Sequence, residues 1–422
     1  MLQGIAFWVN GMNEITSQLR RLQAELKQEL ASILDYWMRY TIDDVNGGFY
    51  GRISNENLAD NDAEKGLVLH ARILWTFSAA FLYSKDQRYL DIATRAFHYL
   101  IHYFHDQQFG GFYWAVNKQG QPVETKKQVY GIAFCCYGFS EYYRASGDHS
   151  SLDFAKDCYA QIEQHAFDPV QTGYLEAFTR DWQTVADLRL SAKDANEKKT
   201  MNTHLHILEA YSNLYKSFPD EILRNKIGQL LSNFSEKIID RSTGHMRLYF
   251  DENWKVKSTT ISFGHEIEAS WLLPEAAATI GDNYWIRTTG ELALVLAEAA
   301  QAGLDQDGGL WYELEAGSLI KQKHWWPQAE AMVGFFNAWQ LSGNKKYLGY
   351  SIRGWEFIQQ QLLDKKHGEW FWGVGEDGKP MHDQDKIGFW KCPYHNSRAC
   401  LEIINRVNAV NGNAYNGITQ TV

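Results

Sequence analysis

The chain has 422 residues, of which 45% are hydrophobic and 22% are charged, an ordinary composition for a globular protein. Its formal net charge of −10, without any basic stripe, excludes a nucleic-acid backbone as the expected partner. There is no run of about 18 apolar residues, so we expect neither a membrane-spanning helix nor a membrane partner.

The N-terminal segment "MLQGIAFWVNG" is apolar, but it lacks the basic region and the small-residue cleavage site of a signal peptide. We therefore predict an extension over residues 1–11, a single domain over 12–410 and a tail over 411–422. The first helix of the domain is predicted over 14–40.

Six similar segments follow along the chain, each with an acidic residue, a few polar residues, a glycine and an aromatic-rich run. They are DVNGGFYGR (44–52), DQQFGGFYWAV (106–116), DPVQTGYLEAF (168–178), DRSTGHMRLYF (240–250), DQDGGLWYEL (305–314) and DKKHGEWFWGV (364–374). Their glycines, at positions 48, 111, 173, 244, 309 and 368, lie 59 to 71 residues apart. Such a cluster ends a helix and allows positive φ, and the aromatic run then predicts a short strand.

Each of these turns is followed by two predicted helices. The first is apolar nearly all round, as in "GLVLHARILWTFSAAF" and "FGHEIEASWLL", which indicates burial on both sides. The second is amphipathic, as in "NKKYLGYSIRGWEFIQQQLL", and would form an outer layer. Six such pairs predict an all-α (α/α)6 barrel with short aromatic-rich strands at a central pit. An open solenoid is the weaker alternative, because solenoids need polar terminal caps and the last inner helix is apolar.

In such a ring, the N-terminal ends of the inner helices and the aromatic turns before them surround the pit. The polar and aromatic residues predicted there are Arg52, Tyr130, Asn202, His206, His265, Glu268, Trp325, Trp326, Glu330, His395 and Arg398. Polar groups in that position are costly unless they are paired or used.

Two histidines across the pit suggest proton transfer, because an imidazole takes and returns a proton near neutral pH. A proton that leaves one face of a carbon next to a carbonyl and returns on the other needs two acid/base groups, which His265 and His395 would provide. The enediolate oxygen formed on the way needs a cationic partner, and the guanidinium of Arg52 suits that task.

Other interpretations of these residues stay open at this point. His206 could be a hydrogen-bonded core histidine, and His204, two positions away, faces elsewhere. His265 and Glu268 share a helix face and could bind a metal with His395 or His206, although no recognised ligand spacing is present. Glu268 could instead orient a histidine or cap its helix.

The five cysteines are odd in number and lack CxxC spacing, so they predict neither a disulfide framework nor a zinc site. We therefore expect a reducing, cytoplasmic setting.

The motifs "MNTHLHILEAYSNLY", "FGHEIEASWLL", "WWPQAEAM" and "KCPYHNSRACLEI" resemble those of cellobiose 2-epimerases, within the N-acylglucosamine 2-epimerase superfamily. The resemblance runs from about residue 12 to about residue 410 and implies an (α/α)6 barrel. It implies cofactor-free epimerisation at C2 of the reducing-end glucose of β-1,4-linked disaccharides: cellobiose, lactose and, as a third candidate, mannobiose. We expect a monomer or a weak homodimer.

The resemblance also implies roles for individual residues. His265 and His395 match the acid/base pair, and Arg52 and His206 match positions that stabilise the enediolate. The positions matched to sugar binding are Asn202, Glu268, Trp325, Trp326, Glu330, Trp390, Tyr113 and Trp114. Cys392 and Ser397, beside His395, depart from the commoner family pattern.

Three rival functions follow from the same residues. N-acylglucosamine 2-epimerisation or mannose/glucose isomerisation would keep the chemistry and change the substrate. A glycoside hydrolase would need two carboxylates rather than two histidines. A non-catalytic sugar-binding protein would explain the 16 Trp but not the facing histidines.

Overall fold

A computed structural model describes the backbone of residues 2–418 and the side chains of residues 14–410. The predicted extension over 1–11 and tail over 411–422 lie outside the residues whose side chains are described. The first helix, α1, spans Leu2–Tyr40, so the helix predicted over 14–40 is present.

Six inner helices form a closed ring. They are α2 (Leu67–Ser84), α4 (Val129–Ser146), α6 (Met201–Tyr215), α8 (Phe263–Ile280), α10 (Trp325–Ser342) and α12 (Tyr394–Ile418). Each packs against the next, and α12 packs against both α1 and α2, so the ring has no free end. This closure confirms the (α/α)6 barrel. Among the described helices, α2 alone is long and apolar enough to cross a membrane, and 78% of it is buried inside the protein.

The outer layer contains α1 and five shorter helices: α3 (Gln87–Tyr99), α5 (His149–His165), α7 (Glu221–Asn233), α9 (Asn283–Ala300) and α11 (Lys345–Phe357). Each of the five begins after an Asp or Asn whose side chain accepts a hydrogen bond from a backbone N–H of the first turn. Such caps satisfy donors that the helix itself leaves free. The sequence therefore sets where each outer helix starts.

Short strands join neighbouring repeats at the pit end of the ring. They are β1 (Lys65–Gly66), β2 (Ala115–Val116), β3 (Pro122–Glu124), β4 (Lys127–Gln128), β5 (Ala177–Phe178), β6 (Lys199–Thr200), β7 (Tyr249–Phe250), β8 (Ile261–Ser262), β9 (Glu313–Glu315), β10 (Ser318–Ile320), β11 (Lys323–His324) and β12 (Gly373–Val374). The strand before an inner helix pairs antiparallel with the strand after the next turn, as in β1–β2, β4–β5, β6–β7, β8–β9 and β11–β12. A bridge between Ile53 and Ile387 joins the first repeat to the last.

The turns adopt the predicted left-handed conformation. Gly48, Gly111, Gly173, Gly244 and Gly368 have φ between 63° and 81°; in the fifth repeat the positive φ belongs to Gly308 instead of Gly309. A Cβ at Gly173 would lie 2.4 Å from the ring of Trp254, so this turn also needs glycine for space.

Lysine–aspartate ion pairs recur between a turn and the segment before an inner helix. We call them the clamp pairs: Lys65–Asp43, Lys127–Asp106, Lys199–Asp168, Lys323–Asp305 and Lys386–Asp364, with N–O distances of 2.5 to 3.0 Å. In the fourth repeat Ile261 stands at the lysine position, two residues before α8, and Asp240 pairs with Arg247. In the other five repeats a clamp pair holds the turn against the segment that leads to an inner helix.

Candidate active site

A cavity of about 460 Å³ lies where the N-terminal ends of the inner helices meet. Predicted site residues that line it are Asn202, His206, His265, Glu268, Trp325, Trp326, Trp390 and His395, together with Tyr130. The loop between β5 and β6 contributes a further wall with residues 188–195 and Glu197. The ring therefore brings most of the predicted residues into one space.

The two imidazoles predicted to face each other both contact the indole of Trp326. Its ring centroid lies 4.7 Å from that of His265 and 5.8 Å from that of His395. His206 lies on another wall, 5.1 Å from the ring of Tyr130. A single sugar ring in the cavity is therefore within reach of several imidazoles.

Each of these histidines has its Nδ1 atom engaged by a neighbour. His395 Nδ1 lies 2.6 Å from Glu330 Oε1, His206 Nδ1 3.0 Å from Glu209 Oε2, and His265 Nδ1 2.8 Å from Ser262 Oγ. Within the described part of the chain, their Nε2 atoms make no hydrogen bond. A proton held on Nδ1 leaves Nε2 free to accept one from a ligand.

Burial keeps these imidazoles neutral. It lowers the pKa of His265 to about 3. The pKa of His395 lies well below its ordinary value, because burial and the positive charges of Arg72 and Arg398 disfavour the imidazolium. A neutral imidazole can accept a proton at physiological pH, which the proton-transfer hypothesis requires of the histidine that removes the C2 proton.

One guanidinium organises the carboxylates behind the cavity. Arg398 Nη2 donates to Glu268 at 2.6 Å and to Glu330 at 2.7 Å, and Nη1 donates to Glu209. Burial raises the pKa of both Glu268 and Glu330, which Arg398 opposes. Glu330 thus holds His395 from behind and does not itself line the cavity, contrary to its predicted contact with the sugar.

Glu268, Glu330 and His395 present ligand atoms within 4.8 Å of one another, the geometry of a metal-binding set. Arg398, however, already donates to both carboxylates, and Glu330 is bonded to His395. The guanidinium thus supplies the positive charge that a cation would bring, and the set is explained as an ion-pair network. This favours the orienting role of the glutamates over the metal alternative.

Arg52 does not reach the cavity, which corrects its predicted position. Its side chain is 55% exposed and pairs with Asp60 at 2.8 Å and with Asp385 at 3.7 Å. It follows the first turn on the outer rim, before β1, so neighbouring acidic residues hold it at the surface.

Arg72, on the inner helix α2, takes the position expected of Arg52. It is 3% exposed, lines the cavity and donates from Nη2 to the hydroxyl of Tyr130 at 2.8 Å. Its guanidinium also lies over the ring of Phe134 at 4.3 Å. The signal was present in "LHARILW", because an arginine in a helix that is apolar all round must be paired or used.

Tyr113 and Trp114 also lie outside the cavity lining. The Tyr113 hydroxyl accepts a hydrogen bond from Arg180 at 3.1 Å, and Trp114 packs against Phe389 and Trp390. Trp114 therefore supports the wall that Trp390 forms. Lining residues that the sequence did not single out lie on the short strands or directly before them: Glu176, Tyr249, Tyr312, Glu313, His324 and Trp372.

Three residues that neighbour the proposed histidines in sequence are fully buried: Cys392, Ser397 and His204. Cys392 lies 3.9 Å from Arg72, and Ser397 is buried. His204 is fully buried, with Nδ1 2.6 Å from the Thr200 carbonyl oxygen and Nε2 accepting from the Tyr174 backbone N–H at 2.9 Å. All five cysteines are buried free thiols.

The chain is similar in sequence to known proteins along most of its length. The sequence model of the N-acylglucosamine 2-epimerase (GlcNAc 2-epimerase) family matches residues 48–399. The chain is 48% identical to a cellobiose 2-epimerase of Bacteroides fragilis over 386 residues, covering 91% of this chain and 98% of that protein. A cellobiose 2-epimerase of Dictyoglomus turgidum is 39% identical over 391 residues, covering 92% of this chain and all of that protein.

The chain belongs to the N-acylglucosamine 2-epimerase family. As a member of this family it is a carbohydrate epimerase, an isomerase that acts at C2 of a sugar. The solved cellobiose 2-epimerase of Bacillus thermoamylovorans B4167 superposes with a TM-score of 0.88 at 38% identity, over 92% of this chain and all of that one. A family 76 α-mannanase of Bacteroides thetaiotaomicron superposes with a TM-score of 0.64 at 13% identity, a likeness of fold alone.

Proposed function

We propose that the protein epimerises the reducing-end glucose of β-1,4-linked disaccharides at C2, converting cellobiose to glucosyl-mannose and lactose to epilactose. The observation that carries the proposal is the pair of neutral imidazoles, His265 and His395, beside one indole in one cavity. The disaccharide is favoured by the high identity to cellobiose 2-epimerases and by Trp390, a further aromatic wall of that cavity.

The proposed reaction needs only proton transfers. After ring opening gives an aldehyde at C1, one imidazole takes the C2 proton through Nε2, and the C2–H electrons form the C1–C2 double bond of an enediolate. The second imidazole has by then taken the O1 proton on its Nε2 during ring opening, while water protonates the ring oxygen. Rotation about C2–C3 exposes the other face of the enediolate to this second imidazole, which returns a proton to C2. In ring closure the first imidazole gives its proton to O1, and the hydroxide left by ring opening takes the proton of the ring oxygen. The two histidines exchange these tasks when the direction of reaction reverses.

Arg72 and His206 would hold the enediolate oxygen in this scheme. The guanidinium of Arg72 is buried and lines the cavity, so its charge acts where water screens it least. Arg52 has no part in this version of the mechanism.

Solvent labelling tests the chemistry directly. In D2O, epimer formed from cellobiose should carry deuterium at C2, measured by NMR or mass spectrometry. His265→Ala and His395→Ala should each lower kcat by at least about 100-fold with the fold retained by circular dichroism. His102→Ala, at an exposed histidine, is the matched control. Epimer without solvent label would contradict the enediolate route.

A panel of substrates tests the specificity. Cellobiose, lactose, mannose and N-acetylglucosamine are incubated separately and the products are resolved. If the protein converts N-acetylglucosamine or mannose but neither disaccharide, the disaccharide proposal is wrong. Free glucose from cellobiose would indicate hydrolysis, which the pairing of Glu268 and Glu330 with Arg398 disfavours. We also propose a reducing, cytoplasmic location, which the five free thiols support.

A further inference from the structure

The serine that precedes α8 does not cap its helix in the usual way. Ser262 is fully buried, and its hydroxyl accepts no hydrogen bond from the first turn of α8. At the same position before α6, the Thr200 hydroxyl does accept from the Thr203 backbone N–H, at 3.1 Å. The Ser262 hydroxyl lies instead 2.8 Å from His265 Nδ1. Serine is a good helix-capping residue, yet the Ser262 hydroxyl contacts the His265 side chain and leaves the first turn of α8 without a side-chain cap.

A carboxyl group stands on the other side of this hydroxyl. Strands β8 and β9 are antiparallel with Ser262 directly opposite Glu313, so the two side chains are cross-strand neighbours. Burial raises the pKa of the Glu313 carboxyl group to about 7, and the neighbouring Ser262 hydroxyl lowers it. Glu315 and Asp194 also raise the pKa, and Lys193 lowers it.

The direction of these hydrogen bonds fixes the tautomer of the histidine. An ionised carboxylate only accepts, so a Ser262 hydroxyl that turns its single proton to Glu313 keeps only its oxygen for His265. The Ser262 oxygen must then accept from His265, which places the imidazole proton on Nδ1 and leaves Nε2 as the base. For His395 the carboxylate of Glu330 accepts directly from Nδ1, without a hydroxyl between.

We propose that Ser262 and Glu313 are positioning residues that hold His265 in its Nδ1-protonated tautomer and so keep its Nε2 ready for proton transfer. The effect that this positioning has on catalysis rests on the proposed function. The tautomer itself is a property of the resting protein and is measured without substrate.

The first test is the nitrogen-15 NMR signature of His265 in the full-length protein, assigned by its loss in His265→Gln. Above pH 7 the wild type should show a protonated Nδ1 and an unprotonated Nε2. Glu313→Gln introduces an amide that donates, so Ser262 can turn toward His265 and the Nε2-protonated tautomer should predominate. Glu315→Gln, on the same strand but exposed, should leave the tautomer unchanged.

Acidification gives an internal check on the same signal. Protonation of Glu313 lets the carboxyl group donate to Ser262, so the wild-type tautomer should shift as the pH falls through about 7. The shift should be absent in Glu313→Gln. A wild-type tautomer that stays constant, and is the same in Ser262→Ala and Glu313→Gln, would overturn the proposal.

The second test separates positioning from a general loss of structure. Glu313→Gln and Ser262→Ala should lower kcat/KM by roughly 10- to 100-fold. In the direction in which His395 removes the C2 proton, a slowed His265 protonates the enediolate less often, so more of the enediolate reverts to substrate. The C2 deuterium in residual substrate, divided by that in the epimer, should therefore be several-fold higher than in the wild type. In the reverse direction that ratio should fall below the wild-type value, because return of the enediolate to the starting sugar then passes through the slowed His265.

An equal change of the ratio in both directions would contradict a role specific to His265. If the wild type puts no deuterium at C2, the proposed function is contradicted. The tautomer of His265 is still tested separately by the NMR measurement. If Ser262→Ala does not fold, the NMR test and the kinetic test are both made on Glu313→Gln alone.

Discussion

At the scale of single residues, the histidines divide by what their two ring nitrogens contact. Both ring nitrogens of His204 bond to the backbone: Nδ1 donates to the Thr200 carbonyl oxygen, and Nε2 accepts from the Tyr174 N–H. His265 and His395 engage only Nδ1 and leave Nε2 to the cavity. All three are largely buried, so exposure alone does not separate a structural histidine from one suited to chemistry; the free nitrogen does.

The contacts of His204 predict a pH-dependent stability. Burial lowers its pKa to about 4 from 6.5. Between those values the unfolded chain binds a proton that the folded chain does not, so stability falls as the pH falls from 6.5 to 4. His204→Gln should reduce that loss by about 3 kcal/mol, measured by urea unfolding across the window. Gln328 already accepts from the Leu310 N–H in the fifth repeat, so glutamine suits the position. An unchanged pH dependence would contradict this assignment.

At the scale of elements, the clamp pairs connect turns to the segments before inner helices, and several of these charges are almost wholly buried. Lys65 and Asp43 are 1% and 2% exposed. Removing one member of such a pair leaves an uncompensated charge in a medium that solvates it poorly. Ile261 shows that a repeat folds with an apolar residue at the lysine position when its aspartate has another partner.

Lys65→Met should therefore lower the free energy of unfolding by about 3–5 kcal/mol. Adding Asp43→Asn should recover part of the loss, because the amide oxygen can still accept from the backbone of Val45 and Asn46. Lys118→Met, which removes an exposed pair with Asp62, should cost less than about 1 kcal/mol. Urea unfolding of the four proteins measures this, and equal losses for Lys65→Met and Lys118→Met would refute it.

At the scale of the whole molecule, closure removes the terminal repeats that an open array would have. Ile53 and Ile387 exchange two backbone hydrogen bonds, of 3.0 and 3.1 Å, across the junction. Asn57 adds a hydrogen bond to the His367 carbonyl oxygen at 2.8 Å. The first and last repeats are thus hydrogen-bonded to each other, as neighbouring interior repeats are.

Hydrogen exchange tests that closure. Backbone amides of α2 and of residues 394–407 should exchange as slowly as those of α6, whereas the ends of an open array fray. Ile53→Ala, at a fully buried side chain, should cost roughly 2–5 kcal/mol and should speed exchange near the junction before it does so in α6. Val45→Ala, at a side chain that is 87% exposed, is the control. Fast exchange of α2 in the wild type would contradict a closed ring.

The sequence by itself determined the six repeats, the two helix layers and the positions of His265 and His395 at helix starts. Those features depend on local turn chemistry and on the helical period, both of which a single segment displays. Only the tertiary structure decided that Arg72 and not Arg52 reaches the cavity, that Glu330 stands behind His395, and that residues 188–195 form a wall. The physical reason is that these assignments depend on which side chains from distant repeats meet once the ring has closed. A local sequence pattern does not contain the distances between side chains of different repeats.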